Sequence, residues 1–142
     1  MSRRLAREMA VQALFLLDFN AGAGQELALE AVFAEREAVS PSVKEYASSL
    51  VEGTQKHLAA IDKNMAGISK EWPVDRMPGV DRNIIRMALF EMKYADQPVD
   101  AGVVINEAVE LAKIFGTENS GRFINGILGS LVRVGVSREP SL

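Results

Sequence analysis

Three arginines and one phenylalanine stand out in the N-terminal segment RRLAREMAVQALFLLDF, residues 3–19. Arg3, Arg4 and Arg7 carry guanidinium groups that pair with phosphates, and Phe15 carries a ring on which a nucleic-acid base can stack. Cations at the start of a helix oppose the helix macrodipole and cost about 0.3–1 kcal/mol each when exposed. Their placement there indicates a ligand of negative charge, and single-stranded RNA is the ligand that both side-chain types would suit.

Helical geometry predicts that these side chains share one strip. At about 100° per residue, Arg7, Val11 and Phe15 follow one another at four-residue steps, with Arg4 and Glu8 beside them. We expect Arg4, Arg7 and Glu8 to be exposed, and a β-sheet, or burial of Arg7 in the core, would refute the fold and the site together. The alternative is that Phe15 packs beneath a later helix and the arginines are ordinary surface charge. The buried face is predicted to hold Ala6, Met9, Ala10, Ala13, Leu16 and Leu17.

The sequence shows no constellation of catalytic or metal-ligating residues. It has no cysteine and one histidine, His57, which adjoins a predicted core position, so we expect a surface or half-buried ring rather than a metal ligand. There is no P-loop or dinucleotide-type glycine fingerprint, and GTENSG at 116–121 joins two predicted helices. Glu107, Glu110 and Lys113 have the spacing of a solvated, ion-paired helix face. The sequence predicts a protein that is not an enzyme and needs no cofactor.

The composition is that of a globular protein of 142 residues, 48% hydrophobic and 25% charged, and we expect a single domain over residues 1–142. The lack of cysteine is typical of a reducing cytoplasm, where we place the protein. No apolar run approaches the roughly 20 residues that cross a membrane, and no signal peptide is evident, so we expect no membrane association. The net charge of -3 argues against a protein coated in nucleic acid but allows a local basic patch.

The spacing of apolar residues is helical along nearly the whole chain, without the alternation of a strand. Ser2 is a predicted N-cap, Ser40 and Pro41 are a predicted N-cap and first helical residue, and Gly116 is a predicted C-terminal glycine cap. The pattern therefore indicates a compact all-α bundle. Six helices are predicted, over about 3–19, 25–39, 41–68, 80–94, 100–115 and 120–133.

Three segments resemble the bacterial NusB family of transcription antitermination factors. VDRNIIRMALFEM at 80–92 and VINEAVELAKIFGTENSGRFINGIL at 104–128 resemble its two signature segments, and RRLAREMAVQALF at 3–15 resembles its arginine-rich first helix. The resemblance covers essentially the whole chain, in the same order and with the same separation. It implies an all-α fold of two small packed helical bundles, about six to seven helices in all, without catalytic activity.

The resemblance also implies partners. NusB-like proteins bind the boxA element of ribosomal RNA leader and phage transcripts, a single-stranded RNA, together with the small-subunit ribosomal protein that acts as NusE. That assembly joins the elongating RNA polymerase complex and suppresses premature termination. The family includes monomers and dimers, so a homodimer, which could even cover the arginine strip, stays open.

Carried over residue by residue, the resemblance assigns roles to positions of this chain. Phe15 stands where relatives often have tyrosine. The phenylalanine keeps the stacking ring but lacks the hydroxyl. Asn119 stands where many relatives carry aspartate, so this chain lacks a negative charge beside the proposed RNA path. Phe123 follows Arg122 in a basic–aromatic pair but lies at the edge of a core face, so core packing is its alternative. Asp81 and Arg82 match the region that meets the ribosomal protein, with a helix-starting charge pair as the alternative. The RNA-binding set is Arg3, Arg4, Arg7, Gln12, Phe15, Lys113, Asn119, Arg122 and Phe123.

Two other functions stay open. One is a helical adaptor, or a dimer, that contacts proteins and does not bind RNA. The other is a relative of the ribosomal RNA methyltransferases that carry a NusB-like N-terminal domain. We do not expect the second function, because residues 1–142 include no glycine-rich βαβ unit that could bind a methyl donor.

Overall fold

The computed structural model describes residues 2–20, 22–69 and 72–134, which form α-helices and no strand. α1 packs against α2 and α3, α5 packs against α6 and α7, and contact between α1 and α5 joins the two groups. The predicted all-α fold of two small packed bundles is confirmed. The helices are α1 (Arg3–Phe19), α2 (Gln25–Ala34), α3 (Pro41–Lys56), α4 (Leu58–Ile68), α5 (Gly79–Leu89), α6 (Ala101–Phe115) and α7 (Ser120–Arg133).

Two helices begin at their predicted caps. The hydroxyl of Ser2 accepts a hydrogen bond from the backbone N–H of Leu5 at 3.1 Å, which satisfies a donor of the first turn of α1. The hydroxyl of Ser40 accepts one from the N–H of Val43 at 3.3 Å, and Pro41 is the first residue of α3. Both predicted caps are confirmed. They could be predicted from the sequence because a cap and the N–H group that it accepts from lie only three residues apart.

Two helix ends differ from the prediction. α2 ends at Ala34 instead of near residue 39, and Ala38 has a φ of 51°, a left-handed conformation that an α-helix cannot contain. Gly116 does end α6, but with extended backbone (φ -96°, ψ -166°) rather than the left-handed conformation of a C′ glycine. Glycine is required there by space, since an added Cβ would lie 2.6 Å from the Cβ of Ser120.

The predicted long third helix is interrupted at His57, which separates α3 from α4 with φ -102° and ψ 15°. The half-buried His57 ring stacks on Phe90 and Tyr94, with centroids 6.1 and 4.9 Å away. Phe90 in turn packs directly against Gly53, where a Cβ would collide with its ring. Both aromatic residues belong to a π-helical stretch, Phe90–Tyr94, that continues α5. A 3-10 turn at Val74–Arg76 precedes α5.

α1 is buried on more sides than predicted. It contacts α2, α3, α5 and α6, so its buried arc covers more than half of the helix circumference. Val11, predicted on the exposed strip, is only 1% exposed, and Leu16, predicted on the buried face, is 41% exposed. Within the described ranges, no helix has the length and apolar character of a membrane span, and no group of three or more metal-ligating side chains occurs.

Candidate nucleic-acid interface

Arg3 and Arg4 are exposed at the start of α1, as predicted for Arg4. The guanidinium carbon of Arg3 lies 4.6 Å from the centroid of the Tyr46 ring on α3, in cation–π geometry. Arg4 forms a bidentate pair with Glu107 of α6, with Nε–Oε1 and Nη2–Oε2 distances of 3.1 and 2.7 Å, while 52% of its side chain stays exposed. Both guanidinium groups therefore retain N–H groups that a phosphate can reach.

Arg7 is buried, with 5% exposure, and the prediction that it is exposed is wrong. Its Nε and Nη2 donate to the two carboxylate oxygens of Glu91 at 2.8 and 2.9 Å, and its Nη1 lies 3.7 Å from Oε1 of Glu107. Burial opposes the charged form of Arg7, but the hydrogen bond and charge of Glu91 outweigh it and raise the pKa of the guanidinium. The helical fold tolerates this burial because the charge is paired. Arg7 ties α1 to the π-helical stretch instead of facing solvent.

The carboxylate of Glu91 is shared with a third residue. The hydroxyl of Tyr46 donates a hydrogen bond to its Oε2 at 2.7 Å. Burial, followed by this bond to Glu91, raises the pKa of Tyr46 to about 12, so the hydroxyl stays protonated near neutral pH. Glu91 thus joins α1, α3 and the π-helical stretch. The same network holds in place the Tyr46 ring, over which the Arg3 guanidinium lies.

Glu8 also differs from the prediction. Its side chain is mostly covered, and its Oε1 lies 3.4 Å from Nη2 of Arg36. The predicted exposure of Glu8 is therefore wrong. Arg36 follows the shortened α2, which packs on α1 and covers this part of the strip.

A mainly apolar cavity of about 280 Å³ lies between α1, the C-terminal ends of α2 and α6 and the start of α5, and Glu35 places a carboxylate in its lining. Phe15 and Phe115 contribute aromatic rings to its lining. Phe15 is 38% exposed and also packs on Gly79, where a Cβ would lie 2.9 Å from its Cε1, so one part of the ring is packed in the fold and another part stays accessible. Gln12 lines the same cavity, and its buried Oε1 finds no donor among the described residues. The two rings can hold a flat aromatic ring, and the Gln12 oxygen could accept from an N–H donor only after its side chain turns toward the cavity.

The start of α7 carries the other predicted RNA-binding residues. Asn119 and Arg122 are exposed, and the Asn119 side chain makes no capping hydrogen bond. Phe123 is partly buried and packs against the core, in line with its alternative role. Lys113 on α6 pairs with Glu110 at 3.0 Å, which confirms the ion-paired face for these two residues, whereas Glu107 pairs with Arg4. α6 thus connects the arginines of α1, the aromatic cavity and the start of α7.

Asp81 and Arg82, the predicted partner-binding pair, are engaged inside the fold. Asp81 is buried, and its Oδ1 has no hydrogen-bond partner among the described residues. Arg82 donates from Nε and Nη2 to Oδ2 of Asp18 at 2.9 and 2.7 Å, and from Nη1 to the carbonyl oxygens of Val74 and Met77 at 3.0 and 3.1 Å. Arg82 therefore anchors the 3-10 turn to α1.

A polar cavity of about 710 Å³ opens beside Arg82. Arg86 lines it and pairs with Asp62 through Nε–Oδ1 and Nη2–Oδ2 distances of 2.8 and 2.9 Å. Burial opposes ionisation of Asp18 at its edge, but hydrogen bonds from Arg82 and Asn83 outweigh that cost and lower the pKa of the carboxyl. Sequence reasoning missed this network. A signal was present, because Arg86 lies four and three residues after Arg82 and Asn83, so that the three share one face of α5.

Comparison with known proteins gives one consistent result. The sequence model of the NusB family matches residues 4–133. The transcription antitermination protein NusB of Pelotomaculum thermopropionicum is 50% identical over 134 residues, which cover 93% of this chain and 90% of that protein. A solved structure of T. maritima NusB has a TM-score of 0.84 at 34% identity and covers 94% of this chain and 92% of that chain. A crystal structure of the antitermination factors NusB and NusE in complex with dsRNA gives 0.80 at 28% identity, covering 93% and 96%.

Proposed function

We infer the function of this chain from the premise that it belongs to the NusB family. We propose that it is a transcription antitermination factor, acting as a binding protein and not as an enzyme. In this proposal it binds boxA-type single-stranded RNA together with NusE in the cytoplasm, and the assembly joins the elongating RNA polymerase complex. The family relationship and the solved complex of related NusB with NusE and dsRNA support the proposal.

One observation carries the RNA-binding part of the proposal: two exposed guanidinium groups stand at the start of α1, which continues past an aromatic cavity. Arg3 and Arg4 retain N–H groups directed at solvent and are proposed to hold phosphates. A base would enter the cavity beside Phe15 and Phe115, where Oε1 of Gln12, once its side chain turns toward the cavity, can accept a hydrogen bond from its exocyclic amine. Arg7 leaves the proposed set of phosphate ligands because Glu91 occupies it.

The test is the salt dependence of RNA affinity. Each phosphate contact to single-stranded RNA contributes about 0.7 to the slope of log affinity against log salt. Arg3→Ala/Arg4→Ala should therefore flatten the slope by about 0.7–1.4, the upper value applying if Arg4 makes a full contact in spite of its pair with Glu107. A matched control is Lys63→Ala/Arg76→Ala, which removes two exposed charges from other parts of the surface. Equal flattening in both variants would indicate general charge, and no flattening in the first would favour an adaptor. Single-stranded and duplex forms of the same RNA, measured in parallel, test the strand preference.

The NusE surface is proposed to lie around the polar cavity beside Asp81 and Arg82. Reversal of either charge is a poor test, because Asp81 is buried and Arg82 holds Asp18. Asp75 is exposed and lines the same cavity, so Asp75→Lys should weaken NusE binding by more than about 1 kcal/mol while RNA affinity of the isolated protein stays nearly constant. Glu30→Lys, an exposed charge reversal on α2, is the control. Equal NusE affinity of both variants in calorimetry would move the interface to another surface.

A second function is favoured by exposed apolar side chains at the end of α1. Phe19 is 87% exposed, and Leu16 lies on the same helix beside the aromatic cavity. Such side chains suit a helical adaptor or a homodimer. Sedimentation of the protein alone and with RNA distinguishes these functions. A dimer built on this face would cover the aromatic cavity, so added RNA would either dissociate the dimer or remain unbound.

A further inference from the structure

Glu107 lies between an exposed and a buried arginine. Its carboxylate is held by Nε and Nη2 of Arg4 at 3.1 and 2.7 Å, and its Oε1 also lies 3.7 Å from Nη1 of Arg7. The Glu107 side chain is 15% exposed, whereas that of Arg4 is 52% exposed. The ion pair therefore has one partner set in the protein surface and one that can turn toward solvent.

The edge of Arg4 that Glu107 occupies is one that a phosphate would use. Arginine binds phosphate best through two parallel N–H donors of its planar fork, and the Nε–Nη2 edge is such a fork. A phosphate that approaches Arg4 must displace the carboxylate or accept the remaining donors with a negative charge close by. In either case, contact with Arg4 adds less to the affinity for phosphate than contact with an unpaired arginine would.

Displacement is feasible because Glu107 has a second cation. When Arg4 turns away, Arg7 stays within ion-pair distance, fixed by its own bidentate pair with Glu91. Glu107 is therefore not left as an uncompensated carboxylate in a mostly covered position. The structure shows Arg4 on Glu107, and its geometry leaves Arg7 to hold the carboxylate if Arg4 turns to an external anion.

We propose that Glu107 competes with RNA phosphate for Arg4 and so limits RNA affinity. This inference rests on the proposed RNA-binding function. Any polyanion must first overcome the carboxylate, so phosphate contact alone gives weak binding, and the base contacts at the aromatic cavity decide which RNA is retained. Glu107 acts through Arg4 and need not touch the RNA.

The substitution Glu107→Gln removes the competing charge and keeps the shape of the side chain. RNA affinity at low salt should rise by about threefold to tenfold, as expected for loss of a charge a few ångströms from a phosphate, and the gain should shrink as salt is added. The salt slope should steepen, because Arg4 then contributes its full share. The control is Glu52→Gln, which removes an exposed carboxylate near the C-terminal end of α3. It should leave RNA affinity within about twofold, because surface charges away from the site are screened.

A double-mutant cycle tests whether Glu107 acts through Arg4. In the Arg4→Ala background the gain from Glu107→Gln should largely vanish. A gain of equal or larger size in that background would mean simple repulsion of RNA and would overturn the competition. Weaker RNA binding by Glu107→Gln itself would mean that Glu107 positions Arg4 for phosphate, and would overturn it as well. Circular dichroism of each variant confirms that the helices are retained.

Failure of this inference is distinct from failure of the proposed function. If the unaltered protein binds RNA, Arg4→Ala weakens that binding and Glu107→Gln leaves it unchanged, only the competition is refuted. If the unaltered protein shows no salt-dependent binding of boxA-type RNA, with or without the ribosomal partner, the proposed function and the inference fall together.

Discussion

Replacing Arg7 with methionine should destabilise the protein by about 3 kcal/mol, the lower end of the range for removing one partner of a buried ion pair. Arg7 is buried, and two of its nitrogens lie 2.8 and 2.9 Å from the equally buried carboxylate of Glu91. The lower end applies because the hydroxyl of Tyr46 still donates to Glu91 at 2.7 Å. At about 2–4 °C per kcal/mol for a chain near this size, the melting temperature should fall by about 6–12 °C.

Thermal and urea unfolding, followed by circular dichroism, measure the effect. Arg4→Met is the matched control, since its half-exposed pair with Glu107 is screened by solvent and contributes little to stability. Arg7→Met/Tyr46→Phe/Glu91→Leu should recover most of the loss, because replacing all members of a buried polar network by apolar residues is often neutral, and Tyr46→Phe avoids a hydroxyl left without its acceptor. If Arg7→Met unfolds at the same temperature as Arg4→Met, Arg7 is a surface residue and the network described here is wrong.

Three further predictions concern the candidate site and its surroundings. Phe15→Ala should lower RNA affinity by about 1–3 kcal/mol with little change in salt slope, as for a lost base stack. A large fall in melting temperature with unchanged affinity would instead assign the ring to packing. Asn119→Asp should weaken RNA binding by about 1–3 kcal/mol before screening, most visibly at low salt, and equal or tighter binding in a titration would mean that this residue does not face RNA. The lowered pKa of Asp18 means that its ion pair stabilises the fold above the ordinary value of 3.8 and is lost as the pH falls through the lowered pKa. Asp18→Asn should therefore flatten the acid limb of unfolding free energy against pH, and an unchanged limb would show that Asp18 is not paired.

Local sequence determined much of the fold. The starts of α1 and α3 follow from Ser2 and from Ser40–Pro41, because a cap satisfies donors only three residues away. The bounds of α7, Ser120–Arg133, agree with the predicted 120–133. The exposure of Arg3, Arg4, Asn119 and Arg122 was likewise predictable from position on a helix and at its ends.

Tertiary structure decided the role of Arg7. A helical wheel gives the direction of each side chain but not how many neighbours surround the helix, and four other helices contact α1. That wide burial covers Val11 and Arg7, and it leaves the guanidinium dependent on a carboxylate 84 positions away in the chain. The interruption at His57 has the same origin, since its ring stacks on the distant Phe90 and Tyr94. Sequence periodicity specifies directions around one helix, whereas burial and charge pairing depend on which other elements pack against it.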